Sequence, residues 1–142
     1  MVDKRGFVTT EYVTRVEKPW GYELHLTADD GPYMMKILHI TEGRRLSLQA
    51  HDAKSETWTL HSGKAAVLLE NSRGELEEIE LKSGVGYTSQ LGQRHRLIGL
   101  TDCDVLEAST PEIGTTWRLE DDYARPDETE AVRADPNRGW KG

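Results

Sequence analysis

The sequence predicts an all-β protein that folds as one barrel or sandwich. Short β-prone runs recur along the chain, and no stretch before residue 120 keeps a helical period. The predicted strands cover residues 20–26, 33–40, 45–49, 55–60, 65–70, 76–81, 94–100 and 104–108. Turn-forming sequences rich in Gly, Asp, Asn and Ser separate them. Many short strands at this spacing are typical of closed or two-layered β folds.

Composition narrows the classes of function. The chain has 142 residues, the size of one domain, and a formal net charge of -7 from 25 acidic and 18 basic residues. Without a basic stripe, nucleic acid is not expected as a partner. Cys103 is the only cysteine, so no internal disulfide can form, and no apolar run is long enough for a signal peptide or a membrane helix. We therefore expect a soluble cytoplasmic protein without a membrane partner.

One predicted strand carries a row of polar side chains on a single face. Arg45, Ser47, Gln49 and His51 alternate with other residues, so they share one side of the strand. If that side faces a barrel interior, the polar row is costly unless it binds something. The row therefore predicts an interior binding site with Arg45 pointing inward.

Four side chains in two separated segments form a candidate metal site: Gln49, His51, Glu56 and His95. Gln49 and His51 point to one side of a strand, Glu56 returns on the next strand, and His95 comes from a distant hairpin. Two imidazoles, a carboxylate and an amide oxygen make a mixed set that suits one divalent Zn, Mn, Fe, Co or Ni ion. Each residue alone would more often be a core or surface residue, but the joint pattern favours a metal.

The spacing resembles the two motifs of the cupin family. The first motif corresponds to Gly43, Gln49, His51, Glu56 and Gly63, with Gln49 in place of the usual first His. The second corresponds to three residues, with Gln90 in place of the usual Pro: Gly84, Gly92 and His95. The resemblance implies a single-domain cupin, a double-stranded β-helix or jelly-roll barrel, with a short charged C-terminal tail. We expect an N-terminal arm over 1–16, the cupin domain over 17–126 and the tail over 127–142, with a helical turn near 127–134.

A narrower resemblance covers about residues 17 to 126. The run from Pro19 to Glu23, Lys36, and the sequences around Arg45 and His95 are similar to the cupin domain of type II mannose-6-phosphate isomerases, here without a guanylyltransferase domain. In that family Gln, His, Glu and His hold the metal, and an Arg at the position of Arg45 matters for isomerisation. The family's run of three His is reduced here to His51, followed by Asp and Ala.

The resemblance implies a metal-dependent isomerase that acts on a sugar or sugar phosphate through an enediol. The metal would polarise the carbonyl and hydroxyl oxygens. Arg45 and Lys36 would stabilise the enediolate or bind a phosphate. The base would be Glu56, if loosely coordinated, or Lys36, if desolvation lowers its pKa. The sequence alone does not choose between these two bases.

Two other functions remain open at this point. The chain could be a cupin dioxygenase or another tailoring enzyme that acts on a small molecule. It could also be a non-catalytic sugar-binding cupin, which the loss of the two following His favours. In each case we expect a homodimer, because the β-prone segment 6–16 could pair with a second copy.

Overall fold

The computed structural model describes all residues, 1–142, and almost every regular element is a strand. In chain order the eleven strands and one helix are β1 Thr14–Lys18, β2 Gly21–His25, β3 Met34–Ile40, β4 Leu48–His51, β5 Glu56–Ser62, β6 Ala65–Glu70, β7 Leu76–Glu80, β8 Tyr87–Ser89, β9 His95–Gly99, β10 Cys103–Ser109, β11 Thr116–Glu120 and α1 Glu130–Arg133. The four-residue α1 is too short to cross a membrane, and the structure contains no helix that could.

The strands form two antiparallel sheets. One sheet has the order β1-β2-β3-β10-β5-β8, and the other has the order β11-β4-β9-β6-β7. Strands β4 and β5 follow one another in sequence but lie in different sheets, and β9 pairs with β4. This crossing brings side chains from both sheets to one interior site. The predicted all-β class is confirmed.

Each of the eight predicted strands corresponds to an observed strand, with ends that differ by up to three residues. The strand predicted over 45–49 differs most, because regular pairing begins only at Leu48. Arg45 forms an isolated bridge with Ile98 instead. The sequence reading missed β1, β8 and β11, which are short and mostly exposed or polar.

The hydrophobic core lies between the sheets and is built from side chains of both. Its buried members are Trp20, Leu38, Ile40, Trp58, Ala65, Val67, Leu81, Leu97, Cys103 and Val105. Trp58 is 1 % exposed, and its ring centroid lies 5.2 Å from that of His95. The core therefore forms one wall of the interior site.

The C-terminal segment, residues 126–142, folds back onto its own barrel. Thr116 and Glu128 exchange backbone hydrogen bonds of 2.9 and 2.8 Å. Thr129 caps α1 by accepting from Val132 N, and Arg133 Nη2 donates to Gly114 O at 2.9 Å. The predicted helical turn is present, and the charged tail predicted over 127–142 packs on the domain.

Candidate metal centre

His51, Glu56 and His95 converge inside the barrel. Their nearest ligand atoms all lie within 4.8 Å of one another, and each residue is at most 3 % exposed. His51 Nε2 contacts Glu56 Oε1, and His95 Nε2 lies 3.7 Å from the same oxygen. The convergence follows from the sheets: His51 ends β4, Glu56 begins β5, and His95 begins β9 directly opposite Gln49.

The outer nitrogens of both imidazoles are fixed by hydrogen bonds. His95 Nδ1 donates to Gln93 O at 2.9 Å, and His51 Nδ1 lies 2.8 Å from Thr116 Oγ1. With Nδ1 carrying the proton, Nε2 of each ring presents a lone pair toward Glu56. Such outer hydrogen bonds orient histidines that ligate metals.

Two inward-facing atoms of the cluster lack a hydrogen-bond partner. His51 Nε2 and Glu56 Oε1 are fully buried, and neither makes a hydrogen bond of acceptable geometry. A buried polar atom left unpaired costs about 1–3 kcal/mol. A shared divalent cation would satisfy both atoms, so the residues present fit a metal ion.

Gln49 lies beside the cluster, as predicted. Its Nε2 is 3.4 Å from His95 Nε2, and its Oε1 accepts from Ser47 Oγ at 2.9 Å. A half-turn of the amide would direct the oxygen toward the cluster and leave Nε2 to donate to the Ser47 hydroxyl. Gln49 could thus supply a fourth ligand without losing its contact with Ser47.

The charge state of Glu56 suits a ligand better than a base. Burial alone would raise its pKa, but the charge of Lys54, with Nζ 3.7 Å away, and hydrogen bonding from Glu107 hold the pKa well below its ordinary value. An ionised carboxylate binds a cation strongly but has little affinity for a proton. The lowered pKa therefore favours Glu56 as a metal ligand, and its additional role as the base stays a prediction.

A pocket of charged side chains adjoins the cluster. Its cationic lining residues are Lys18, Lys36, Lys54, Arg118, Arg125, Arg133 and Arg138. Its acidic lining residues are Glu23, Glu56, Glu107, Glu112 and Glu128. Only Trp20, Leu38 and Leu46 in the lining are hydrophobic. Such a density of buried charge is costly to maintain and indicates a site for a polar or charged ligand.

Lys36 lines this pocket as a buried cation paired with two carboxylates. Its side chain is 2 % exposed, and Nζ lies 2.6 Å from Glu112 Oε1 and 3.4 Å from Glu23 Oε1. Burial would lower its pKa, yet the nearby carboxylates outweigh burial and raise the pKa well above the ordinary value. The condition under which Lys36 would serve as a base, a pKa lowered by desolvation, is therefore not met, and the side chain is paired as an ammonium.

Arg45 lies outside the pocket. Its Nε and Nη2 donate to the two oxygens of Asp122 at 2.8 and 2.9 Å, and its side chain is 38 % exposed. The prediction that Arg45 points inward is wrong, because regular alternation starts at Leu48 and does not extend back to residue 45. Ser47, Gln49 and His51 do line the pocket.

Glu107 is a site residue that the sequence reading missed. Trp58 Nε1 donates to its Oε1 at 3.0 Å, and the residue is 5 % exposed. Burial, followed by the negative charge of Glu56, raises the pKa of Glu107 to about 8. Alternation along β10 could have found it, since Cys103, Val105 and Glu107 are all buried on one face.

Fold and site together define a cupin whose barrel contains a cluster that could hold a metal ion. The family model described as mannose-6-phosphate isomerase C-terminal matches residues 6–125. The chain therefore belongs to this family of cupin domains. No curated protein matches the sequence closely enough to be reported as a relative.

Solved structures with the same fold include oxalate decarboxylases. The Lactobacillus farciminis enzyme in its formate complex aligns with a TM-score of 0.65 and 16% identity over 81% of this chain and 38% of that chain. The Bacillus subtilis enzyme at pH 4.6 aligns with a TM-score of 0.64 and 15% identity over 81% of this chain and 33% of that chain. The chain thus spans about a third of the length of these proteins, and the likeness shows the fold alone.

Proposed function

We propose that this cupin is a metal-dependent isomerase that interconverts an aldose and a ketose, as the free sugar or the sugar phosphate, through an enediol. The observation that carries the proposal is the buried His51, Glu56 and His95 cluster, with two unsatisfied atoms, beside a charged pocket. Membership of the mannose-6-phosphate isomerase family supports the reaction class.

The metal would be held by His51, Glu56 and His95, with Gln49 as a fourth ligand. When bound, it supplies a Lewis acid that polarises the carbonyl oxygen and the neighbouring hydroxyl of the substrate. The Lys36 ammonium adds a fixed positive charge to the same pocket, where it can stabilise an enediolate oxygen. Of the two roles that the sequence suggested for Lys36, stabiliser of the enediolate and base, we propose the first.

Glu107 is the side chain best placed to carry a proton. Trp58 holds its Oε1, and Oε2 lies 3.8 Å from Lys54 Nζ on the pocket wall. In its ionised form Glu107 can take the proton from the carbon next to the carbonyl to give the enediol, and return it to the adjacent carbon as the carbonyl forms at the other position, while the hydroxyl proton passes between the two substrate oxygens. Lys54 also balances the charge of the two neighbouring carboxyl groups, Glu56 and Glu107.

The test is turnover combined with isotope exchange. Metal-replete protein would be incubated in D2O with a panel of aldoses and aldose phosphates, before and after treatment with a chelator. The proposal predicts ketose formation and deuterium at the carbon next to the carbonyl, both of which are lost on chelation. Absence of both on every sugar, from protein shown to contain metal, would contradict the isomerase reading.

One observation favours a second candidate, a non-catalytic sugar-binding cupin. Arg45, predicted as catalytic, is held by Asp122 outside the pocket. For this candidate the same panel would show saturable binding by calorimetry with no deuterium exchange. The two candidates therefore give opposite results in a single set of samples.

A further inference from the structure

Lys18 is the one cation of the pocket without a carboxylate partner. Lys36 and Lys54 each form ion pairs with pocket glutamates. The four arginines are paired as well, Arg125 with Asp121 and the others with Glu112 or Glu128. Lys18 lines the same pocket but makes neither an ion pair nor a side-chain hydrogen bond.

The surroundings of Lys18 are partly dehydrated. The residue is half-buried at the end of β1, and burial is the largest of the effects that lower its pKa. The charges of Lys36 and Arg138 lower the pKa further, whereas Glu23 and Glu128 oppose them. An ammonium in such a place is unfavourable by itself, because it has lost water without gaining a partner.

Arg138 offers unused donors in the same part of the pocket. Both of its side-chain hydrogen bonds leave from Nη1, to Glu112 Oε2 at 3.1 Å and to Glu128 Oε1 at 2.7 Å. Its Nε and Nη2 donate to no protein atom. A guanidinium with two such nitrogens can bind an oxyanion through a pair of hydrogen bonds.

The position of Arg138 is held against a conformational cost. Its backbone φ of 51° is left-handed, a conformation that is unfavourable for a residue with a side chain. The residue lies in the C-terminal segment 126–142, beyond the part of the chain that the family model matches. The ion pairs with Glu112 and Glu128 retain the strained residue at the pocket.

We infer that Lys18 and Arg138 form an oxyanion subsite, which binds a carboxylate or phosphate group of the ligand that occupies the pocket. The C-terminal segment thereby contributes to recognition, and the ligand is an anion although the whole chain carries a net charge of -7. The identity of this ligand as the substrate of the metal site rests on the proposed function. The subsite itself does not, since binding can be measured without turnover.

The test uses inorganic phosphate and acetate as separate probes, titrated by calorimetry into the full chain with and without metal. Lys18→Gln and Arg138→Gln are the test variants. Lys82→Gln is the matched control, because Lys82 is exposed and lies outside the pocket. We expect at least a tenfold loss of affinity for the preferred probe in both test variants and no change in the control. The stronger probe distinguishes phosphate from carboxylate recognition.

A second measurement separates binding from a structural role. If Lys18 is an unpaired cation in the ligand-free protein, Lys18→Met removes an unfavourable buried charge and should raise the melting temperature of that protein. Phosphate or acetate should stabilise the native protein more than the variant. A lower melting temperature for Lys18→Met, or probe affinity equal to that of the native protein, would overturn the subsite. Probe binding that requires metal and ignores both substitutions would also overturn it.

Failure of the subsite and failure of the isomerase proposal are distinguishable. Intact probe binding that depends on Lys18 and Arg138, without turnover of any sugar, would overturn the isomerase and leave the subsite. Turnover of neutral sugars that is unchanged in both variants, without probe binding, would overturn the subsite and leave the isomerase.

Discussion

Two neighbouring carboxyl groups in the site have pKa values that are shifted in opposite directions. The pKa of Glu56 is held well below its ordinary value, mainly by Lys54 and hydrogen bonds acting against burial, whereas burial and the charge of Glu56 raise the pKa of Glu107 to about 8. Two adjacent buried carboxyls cannot both ionise cheaply. The first group is thereby suited to bind a cation and the second to carry a proton.

Replacement of Glu107 by Gln tests this division of roles. The amide keeps an acceptor for Trp58 Nε1 but cannot release a proton at Oε2. We expect kcat to fall about 100-fold, the lower end of the range for a lost acid–base group, while metal content stays at the native level. Steady-state kinetics and elemental analysis on the same sample check both statements. An unchanged kcat would remove Glu107 from the reaction.

At the residue scale, the sequence predicted the metal cluster but not its neighbours. His51, Glu56 and His95 were found because their spacing follows a motif across two segments, and the structure brings them together. Glu107 and Lys54 belong to no such motif, and their role depends on which faces of β10 and of the loop after β4 are buried. Metal binding by the cluster and proton transfer by Glu107 remain predictions.

At the scale of elements, two glycines beside the strands adopt a left-handed backbone. Gly63, in the turn between β5 and β6, has a φ of 74°, and a Cβ there would lie 2.3 Å from Asp102 O. Gly43, before β4, has a similar φ of 78°, but a Cβ there would meet nothing within 4 Å. The two positions share the backbone strain and differ in steric space.

The matched pair Gly63→Ala and Gly43→Ala separates these two effects. Gly43→Ala should lower the free energy of unfolding by about 1–2 kcal/mol through left-handed strain alone. Gly63→Ala should lower it by a further ~2 kcal/mol, because the backbone at Asp102 must move. Urea unfolding followed by tryptophan fluorescence measures both. Equal losses would show that the clash at Gly63 is relieved without cost.

The turn after β11 depends on a buried ion pair. Arg125 Nε and Nη2 donate to Asp121 at 2.8 and 2.9 Å, and both side chains are 4 % exposed. Burial would raise the pKa of Asp121, but the hydrogen bonds and charge of Arg125 lower it below its ordinary value. The pair should therefore stabilise the fold only while Asp121 is ionised.

Asp121→Asn tests this pair through its pH dependence. Because the folded pKa is depressed, the contribution is complete above the unfolded pKa of 3.8 and disappears as pH falls through the folded pKa. At pH 7 the variant should be less stable by about 3 kcal/mol, since it leaves Arg125 buried without its partner. The difference should shrink below pH 4. A difference that does not vary with pH would contradict the electrostatic account.

The strands that were not predicted from the sequence are those in which buried and exposed positions do not alternate clearly. β8 has only three residues, and β1 and β11 carry few buried side chains, so none shows clear alternation. The inward direction predicted for Arg45 is wrong for a related reason. It assumes that side chains alternate from residue 45 onward, whereas the regular strand begins only at Leu48. Strands β3 and β10 were found because each is a seven-residue β-prone run, and burial alternates along both in the structure.

For the whole molecule, the residues that precede β1 carry several exposed apolar side chains. Phe7, Val8 and Val13 are 66, 78 and 63 % exposed, and they lead into β1, an edge strand of the six-stranded sheet. Exposed apolar side chains beside an open strand edge favour pairing with another copy. This surface supports the homodimer predicted from the sequence.

Light scattering coupled to size exclusion tests the dimer. We expect the full chain to have twice its mass of 16.1 kDa, and a variant that lacks residues 1–13 to have the mass of one chain. Barrel integrity in the truncated variant would be checked by its unfolding transition. A full chain at the mass of a single copy would contradict the prediction.

Elemental analysis decides whether the three buried side chains His51, Glu56 and His95 bind one divalent ion. After loading with divalent metals and desalting, the native protein should retain about one ion per chain. His51→Ala and His95→Ala should retain almost none, whereas His61→Ala, at an exposed histidine, should match the native protein. A native protein without stoichiometric metal, or a His51→Ala variant with native metal content, would contradict the account.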